Sequence, residues 1–246
     1  MSIDQQAELK KKKLKAPAPA KPNSMPKKTP IKALAQKKFF DATGITQKLR
    51  DCFGNIDDTF SMVLFGDSSN GKTTGAGMII DECITSFKCK VAYISYEEGA
   101  GKSMQQVLVH DLKLNEKHGN CLDLYEHMTF EQIDYCMSRR KSPKIWVIDS
   151  IQASNLTKDQ IQYLMKRYTT GKGKKILIFI SWAEGRLPQG AEAKSARYMA
   201  MVKVRVEGFI LFIKGRFRGK QNFVVWEKGA KDYWAKKFNK MVTTVK

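Results

Sequence analysis

One run of eight residues, Gly66-Asp67-Ser68-Ser69-Asn70-Gly71-Lys72-Thr73, constrains this chain more than any other feature. It follows Met62-Val63-Leu64-Phe65, an apolar tetrapeptide that reads as a buried strand. After it, Ala76, Ile79, Ile80, Cys83, Ile84 and Phe87 recur at helical spacing. A glycine-bounded loop between a buried strand and an amphipathic helix is a cradle for phosphate. Its backbone N–H groups and the helix N-terminus converge on anionic oxygens, and Gly66 and Gly71 supply backbone freedom that a side chain would restrict. The spacing assigns Gly66, Asp67, Ser68, Ser69, Asn70, Gly71, Lys72, Thr73 and Thr74 to a nucleoside triphosphate, ATP. Lys72 reaches the β- and γ-phosphates and Thr73 ligates Mg²⁺.

Two acidic positions complete the chemistry expected of such a site. Ile145-Trp146-Val147-Ile148 is an apolar strand that delivers Asp149 at its C-terminal end, where ligands bind in parallel α/β sheets. Asp149 is the expected partner of the magnesium ion, with Ser150 in support. Val91 to Ser95 reads as the strand adjoining the P-loop strand, and it runs into Tyr96-Glu97-Glu98-Gly99. Glu97 is the expected base that orients a water nucleophile, with Glu98 in reserve.

The 246 residues hold 44 Lys and Arg against 24 Asp and Glu, a net charge of +20. That charge sits at the ends. Residues 1–38 carry eleven lysines against Asp4 and Glu8, and residues 203–246 carry twelve Lys or Arg against three acids. Two basic ends around a near-neutral middle point to a polyanion, most simply nucleic acid. Residues 1–38 read as a disordered basic arm, with the lysine block Lys10 to Lys13 and five of the chain's seven prolines. Residues 39–246 read as one ATPase domain. No apolar signal core and no run of about 18 apolar residues occurs, so the expected location is cytoplasmic, away from any membrane. Five scattered cysteines without a Cys-x-x-Cys pair read as reduced thiols rather than a zinc site.

Along the domain, helical patterns over 46–53, 74–87 and 103–112 alternate with apolar strands at 62–65, 91–95, 145–148 and 176–180, and 122–125 reads as a short strand. Thr129 with Gln132 and Thr157 with Gln160 form capping boxes ahead of two further helices, the second ended by Gly171 and Gly173. Alternation of this kind predicts a mostly parallel sheet covered on both faces. After Gly190 the period falls to two, at Val202, Val204 and Val206, and then come 209–213 and 223–226. These read as antiparallel strands appended to that sheet.

Taken together, Gly66 to Thr74, Tyr93 to Gly99, Ile145 to Ser150 and Ile213-Lys214-Gly215-Arg216-Phe217-Arg218 resemble the RecA superfamily, in particular the ATPase core of RadA-type and DnaB-type proteins. The resemblance implies a RecA-like α/β fold and an ATPase stimulated by DNA. It also implies a homo-oligomeric ring or filament with ATP between subunits, where Lys214 and Arg216 reach the γ-phosphate of a neighbour. It further implies a DNA-binding loop within Glu184 to Ala200. Arg186, Lys194, Arg197, Lys203 and Arg205 are the expected contacts to single-stranded DNA, and Trp182 or Tyr198 would stack on bases. Two departures stand out. Ser181 and Trp182 occupy the place where the family carries a Gln or His sensor, and Met199-Ala200-Met201-Val202 lacks the family's aspartate. The zinc finger and protease-like domain of RadA have no counterpart, nor does DnaB's N-terminal domain. The expectation is thus a minimal core with a basic arm, of the kind carried by phages and mobile elements. Recombination, repair or replication follows by resemblance. A DNA-binding loading factor with little hydrolysis and a P-loop kinase remain alternatives.

Overall fold

The computed structural model describes residues 28–36, 44–170, 175–215, 217 and 219–243. The chain divides into two units, Met1–Lys38 and Phe39–Lys246. In the first, Pro30 precedes a short helix, Ile31–Ala35, that buries no residue. Residues 1–27 and 37–38 of the expected arm lie outside the described residues, as do Gly171 and Gly173.

Among the described residues the second unit has nine strands: β1 (Ser61–Gly66), β2 (Val91–Ser95), β3 (Leu122–Tyr125), β4 (Ile145–Asp149), β5 (Ile176–Glu184), β6 (Leu187–Pro188), β7 (Val202–Glu207), β8 (Ile210–Gly215) and β9 (Phe223–Val224). They line up in the order β3-β2-β4-β5-β1-β7-β8-β9, with β6 paired to the end of β5. Every residue of β1 and β2 is buried, because helices cover both faces of the sheet. The two-residue period of β1 sends Met62 and Leu64 into one core, and Val63 and Phe65 into the other. The first core is closed by Leu49 and Phe53 of helix Gln47–Phe53, and by Ile79, Ile80 and Cys83 of helix Lys72–Phe87. The second is closed by Ile133 and Met137 of helix Phe130–Ser138, by Ile161, Leu164 and Met165 of helix Lys158–Thr169, and by Ala193 and Ala196 of helix Ala191–Met199. Both expected capping boxes form, at Thr129 and Thr157.

The mostly parallel sheet, its flanking helices and its C-terminal antiparallel strands match the expected fold class. Four details differ. First, β7 pairs parallel with β1, so the antiparallel addition begins only at β8. The alternation in 202–206 signals a half-buried strand but carries no information about direction. Second, β2 does not adjoin β1, because β5 and β4 lie between them. Third, 184–200 is not an open loop: β5 runs on to Glu184, turns back through β6 and enters helix Ala191–Met199. Fourth, the helix expected over 103–112 continues past Gln105 as a π-helix, Gln106–Asp111. The helical segment Glu227–Trp234 was not legible as an element, since its apolar residues are few and its neighbours basic.

Candidate functional site

β1 ends at Gly66, and the loop that follows re-enters the fold as the N-terminus of the sixteen-residue helix Lys72–Phe87. Backbone packing fixes the glycines. A Cβ on Gly66 would lie 2.5 Å from the carbonyl oxygen of Val206 in β7. Gly71, at φ +88°, takes the left-handed conformation that turns the loop into the helix. Asn70 ties the loop to the β7–β8 turn, its side-chain oxygen accepting from the Gly208 N–H at 2.8 Å. The Lys72 ammonium donates to the Asp67 carbonyl at 2.9 Å.

Three strand ends meet in one cleft of about 450 Å³. Ser68, Ser69, Lys72, Thr73 and Thr74 line it from the loop and helix, Glu97 and Glu98 from beyond β2, and Asp149 from β4. Register explains the convergence, since Ser95 pairs with Asp149 and Asp149 with Ile180. Glu97 thereby reaches the site although β2 lies three strands from β1. Burial lowers the Lys72 pKa, while the charges of Asp149, Glu97 and Asp67 oppose that drop. Burial also pushes the Asp149 carboxyl up to about 6. A hydrogen bond from Tyr93 opposes this, and the negative charges of Glu97 and Glu98 add to it. The Tyr93 hydroxyl donates to Asp149 Oδ2 at 2.5 Å.

Tyr93 was missed from sequence. The available signal was a tyrosine inside an otherwise apolar buried strand, whose hydroxyl must find a partner. Gln152 was missed too. Its amide donates to Ser181 Oγ at 2.9 Å and to the Gln189 carbonyl at 2.7 Å, and its oxygen accepts from the Trp182 N–H at 3.3 Å. It thus joins the end of β4, the sensor position on β5 and the β6 hairpin. Ser150 caps helix Ile151–Ser154 through Ala153 rather than bonding Asp149. Trp182 is exposed and lines the cleft together with Phe209.

The residues fit a nucleoside triphosphate with a divalent cation. A left-handed glycine opens a long helix at a cleft that holds one lysine and hydroxyl and carboxylate oxygens. Mg²⁺ needs only one or two protein oxygens besides phosphate and water. Among the described residues no cluster of three or more metal-ligating side chains occurs.

The five expected nucleic-acid contacts do not form one surface of free cations. Lys194 pairs with Glu184 at 3.1 Å, and Lys203 donates to the Ala200 carbonyl at 3.0 Å. Arg205 pairs with Glu207 and lies 4.7 Å from the Phe212 ring. Arg197 lies 5.7 Å from the Phe65 ring, with Nε buried and unpartnered. Arg186 is exposed, as is Tyr198 at 82%. Lys214 is exposed on β8 opposite Lys203, while Arg216 lies outside the described residues.

No family model matches the sequence, and no curated protein sequence matches it. Solved structures do. A KaiC-like protein, PH0186, from the hyperthermophilic archaeon Pyrococcus horikoshii OT3 matches with a TM-score of 0.51 at 17% identity, over 76% of this chain and 91% of that one. The flagellar accessory protein FlaH from Methanocaldococcus jannaschii matches with a TM-score of 0.51 at 18% identity, over 72% and 86%. At such identities the likeness is one of fold, and that fold is RecA-like. No helix among the described residues is long and apolar enough to cross a membrane.

Proposed function

We propose that this chain binds ATP with Mg²⁺ and hydrolyses it, and that the reaction is coupled to single-stranded nucleic acid. The observation that carries the reading is the convergence of Lys72, Thr73, Glu97 and Asp149 on one cleft at the N-terminus of a long helix. Phosphoryl transfer is catalysed by positioning and by charge placed near the transferring group. Lys72 supplies that charge, and the loop N–H groups hold the phosphates. Thr73 and Asp149 would hold the magnesium ion, which neutralises phosphate oxygens when bound. Tyr93 keeps Asp149 oriented and favours its ionised form through the O–H it donates. Glu97 orients the attacking water and accepts its proton.

The finer reading is a RadA-like or DnaB-like core acting in recombination, repair or replication in the cytoplasm. It would work as a homo-oligomer, ring or filament, with ATP at the subunit interface. The basic ends and exposed Arg186 support the nucleic-acid partner. A second reading draws on Ser181. With the sensor position filled by a serine held by Gln152, the protein would bind ATP, hydrolyse it slowly and act as a loading factor. Turnover measured with and without single-stranded DNA decides between them. In the first reading DNA raises turnover, and Lys72→Ala and Glu97→Gln each lower kcat by about 10²-fold or more. Tight DNA binding with negligible turnover supports the second. Stimulation only by a non-nucleic acceptor would replace both with a kinase.

A further inference from the structure

The sheet carries a second concentration of positive charge at the end opposite the P-loop, where β4 and β5 begin. A cavity of about 490 Å³ opens there, and Arg139, Arg140, Arg167 and Lys175 line it, with no carboxylate among the described lining residues. Lys175 forms part of the wall and is only 8% exposed. Its ammonium donates to the carbonyls of Ser142 at 3.1 Å and Pro143 at 2.7 Å, which fixes the charge in place and leaves its third N–H available. Burial, with the Lys144 charge second, holds its pKa at about 8, so a nearby anion would be welcome. Arg139 and Arg140 are exposed and form no ion pair among the described residues, while Arg167 pairs with Asp134 at 3.3 Å.

Cations at helix C-termini are common, and Arg139 and Arg167 do close two helices. That explains one charge per helix but not Arg139, Arg140 and Lys175 together around one cavity, where the adjoining Asp134 is taken up by Arg167 and Tyr168. The adjoining aromatics add a second signal. Tyr135 is 64% exposed and Tyr163 39%, one on each helix. The Arg139 guanidinium stands 5.8 Å from the Tyr135 ring and that of Arg167 5.5 Å from the Tyr163 ring. Exposed rings held beside arginines are the parts of a base-stacking platform along a phosphate track.

We propose that this cavity and its two tyrosines form a binding surface for single-stranded nucleic acid, separate from the nucleotide cleft and from the β6 hairpin. Phosphates occupy the cavity, and bases stack on Tyr135 and Tyr163. The surface does not depend on ATP turnover, so Lys72→Ala retains it.

The test is anisotropy titration of a labelled oligothymidylate against the full chain over a range of salt concentrations. Arg139→Ala with Arg140→Ala flattens the slope of log K against log salt by about 1.4, two phosphates' worth on a single strand. Tyr135→Ala weakens binding about tenfold with little change in slope. A control pair of exposed lysines, Lys236→Ala with Lys237→Ala, does less on both counts. An oligonucleotide bearing 4-thiothymidine cross-links to Tyr135 or Tyr163. Cavity variants no different from the control, or cross-links found only elsewhere, overturn the proposal. It is equally overturned if tripolyphosphate binds in an Arg139- and Arg140-dependent way while the oligonucleotide ignores both, which would make the occupant a free polyphosphate.

Discussion

Single residues set the close tolerances of this molecule. Gly66 is needed because the Val206 carbonyl leaves no room for a Cβ. Gly66→Ala should lower stability by about 3 kcal/mol, read from chemical denaturation, since backbone rather than a flexible side chain would have to move. A methyl tolerated at no cost would mean that β7 can retreat. Lys175 gives a pH test with a definite sign. Its folded pKa of about 8 lies below the ordinary 10.5. Between those values the unfolded chain holds more protons than the folded one, so this group's contribution to stability is complete above about 10.5. It is lost as pH falls through about 8. The unfolding free energy of the wild type should therefore climb relative to Lys175→Met across that window, by up to about 3 kcal/mol. Parallel curves would show that Lys175 titrates normally. At this scale the sequence was partly legible. The eight-residue motif named Gly66, Lys72 and Thr73, and strand position named Asp149. Tyr93 and Gln152 were hidden because a hydroxyl or amide shows its role only when its partner, 56 or 29 residues away, is placed beside it.

Elements were legible wherever one physical rule governed them. Both capping boxes were read from Thr-x-x-Gln and both formed, because a cap is satisfied within four residues. Thr157→Ala should cost about 1 kcal/mol in thermal or chemical unfolding. A change near zero would indicate that packing of Ile161, Leu164 and Met165 alone holds that helix. Buried strands were equally plain as apolar runs. Their neighbours were not. The position of β2 beyond β4 and β5, and the parallel pairing of β7 with β1, are properties of the crossovers that connect strands, and no local pattern encodes a crossover. The stretch 184–200 misled for a related reason. Its glycines and polar residues read as a loop, yet Ala193 and Ala196 are small enough to lay a helix against the sheet.

For the whole molecule, the placement of Lys214 has a consequence. It faces Lys203, which lies level with Val63 of β1, three residues short of Gly66. That is about 10 Å along the strand and two strands across, so Lys214 points to no phosphate on its own loop. Under the proposed oligomer, any contact it makes to ATP would be made on another copy. Mixing Lys72→Ala with Lys214→Ala should then yield more turnover than either variant alone, because some interfaces regain both groups. A mixture no better than its parts would remove Lys214 from the mechanism. What the sequence determined by itself was local: a phosphate loop between strand and helix, caps, buried runs and the uneven charge, each fixed by residues within a turn or two of one another. Tertiary structure alone decided which strands adjoin and how Glu97 reaches the cleft from three strands away. It also decided which of the basic residues are spent on carboxylates and carbonyls and which, at Arg139 and Arg140, are left facing solvent. Those outcomes depend on contacts between distant segments, and a contact of that kind exists only once the chain has closed around its two cores.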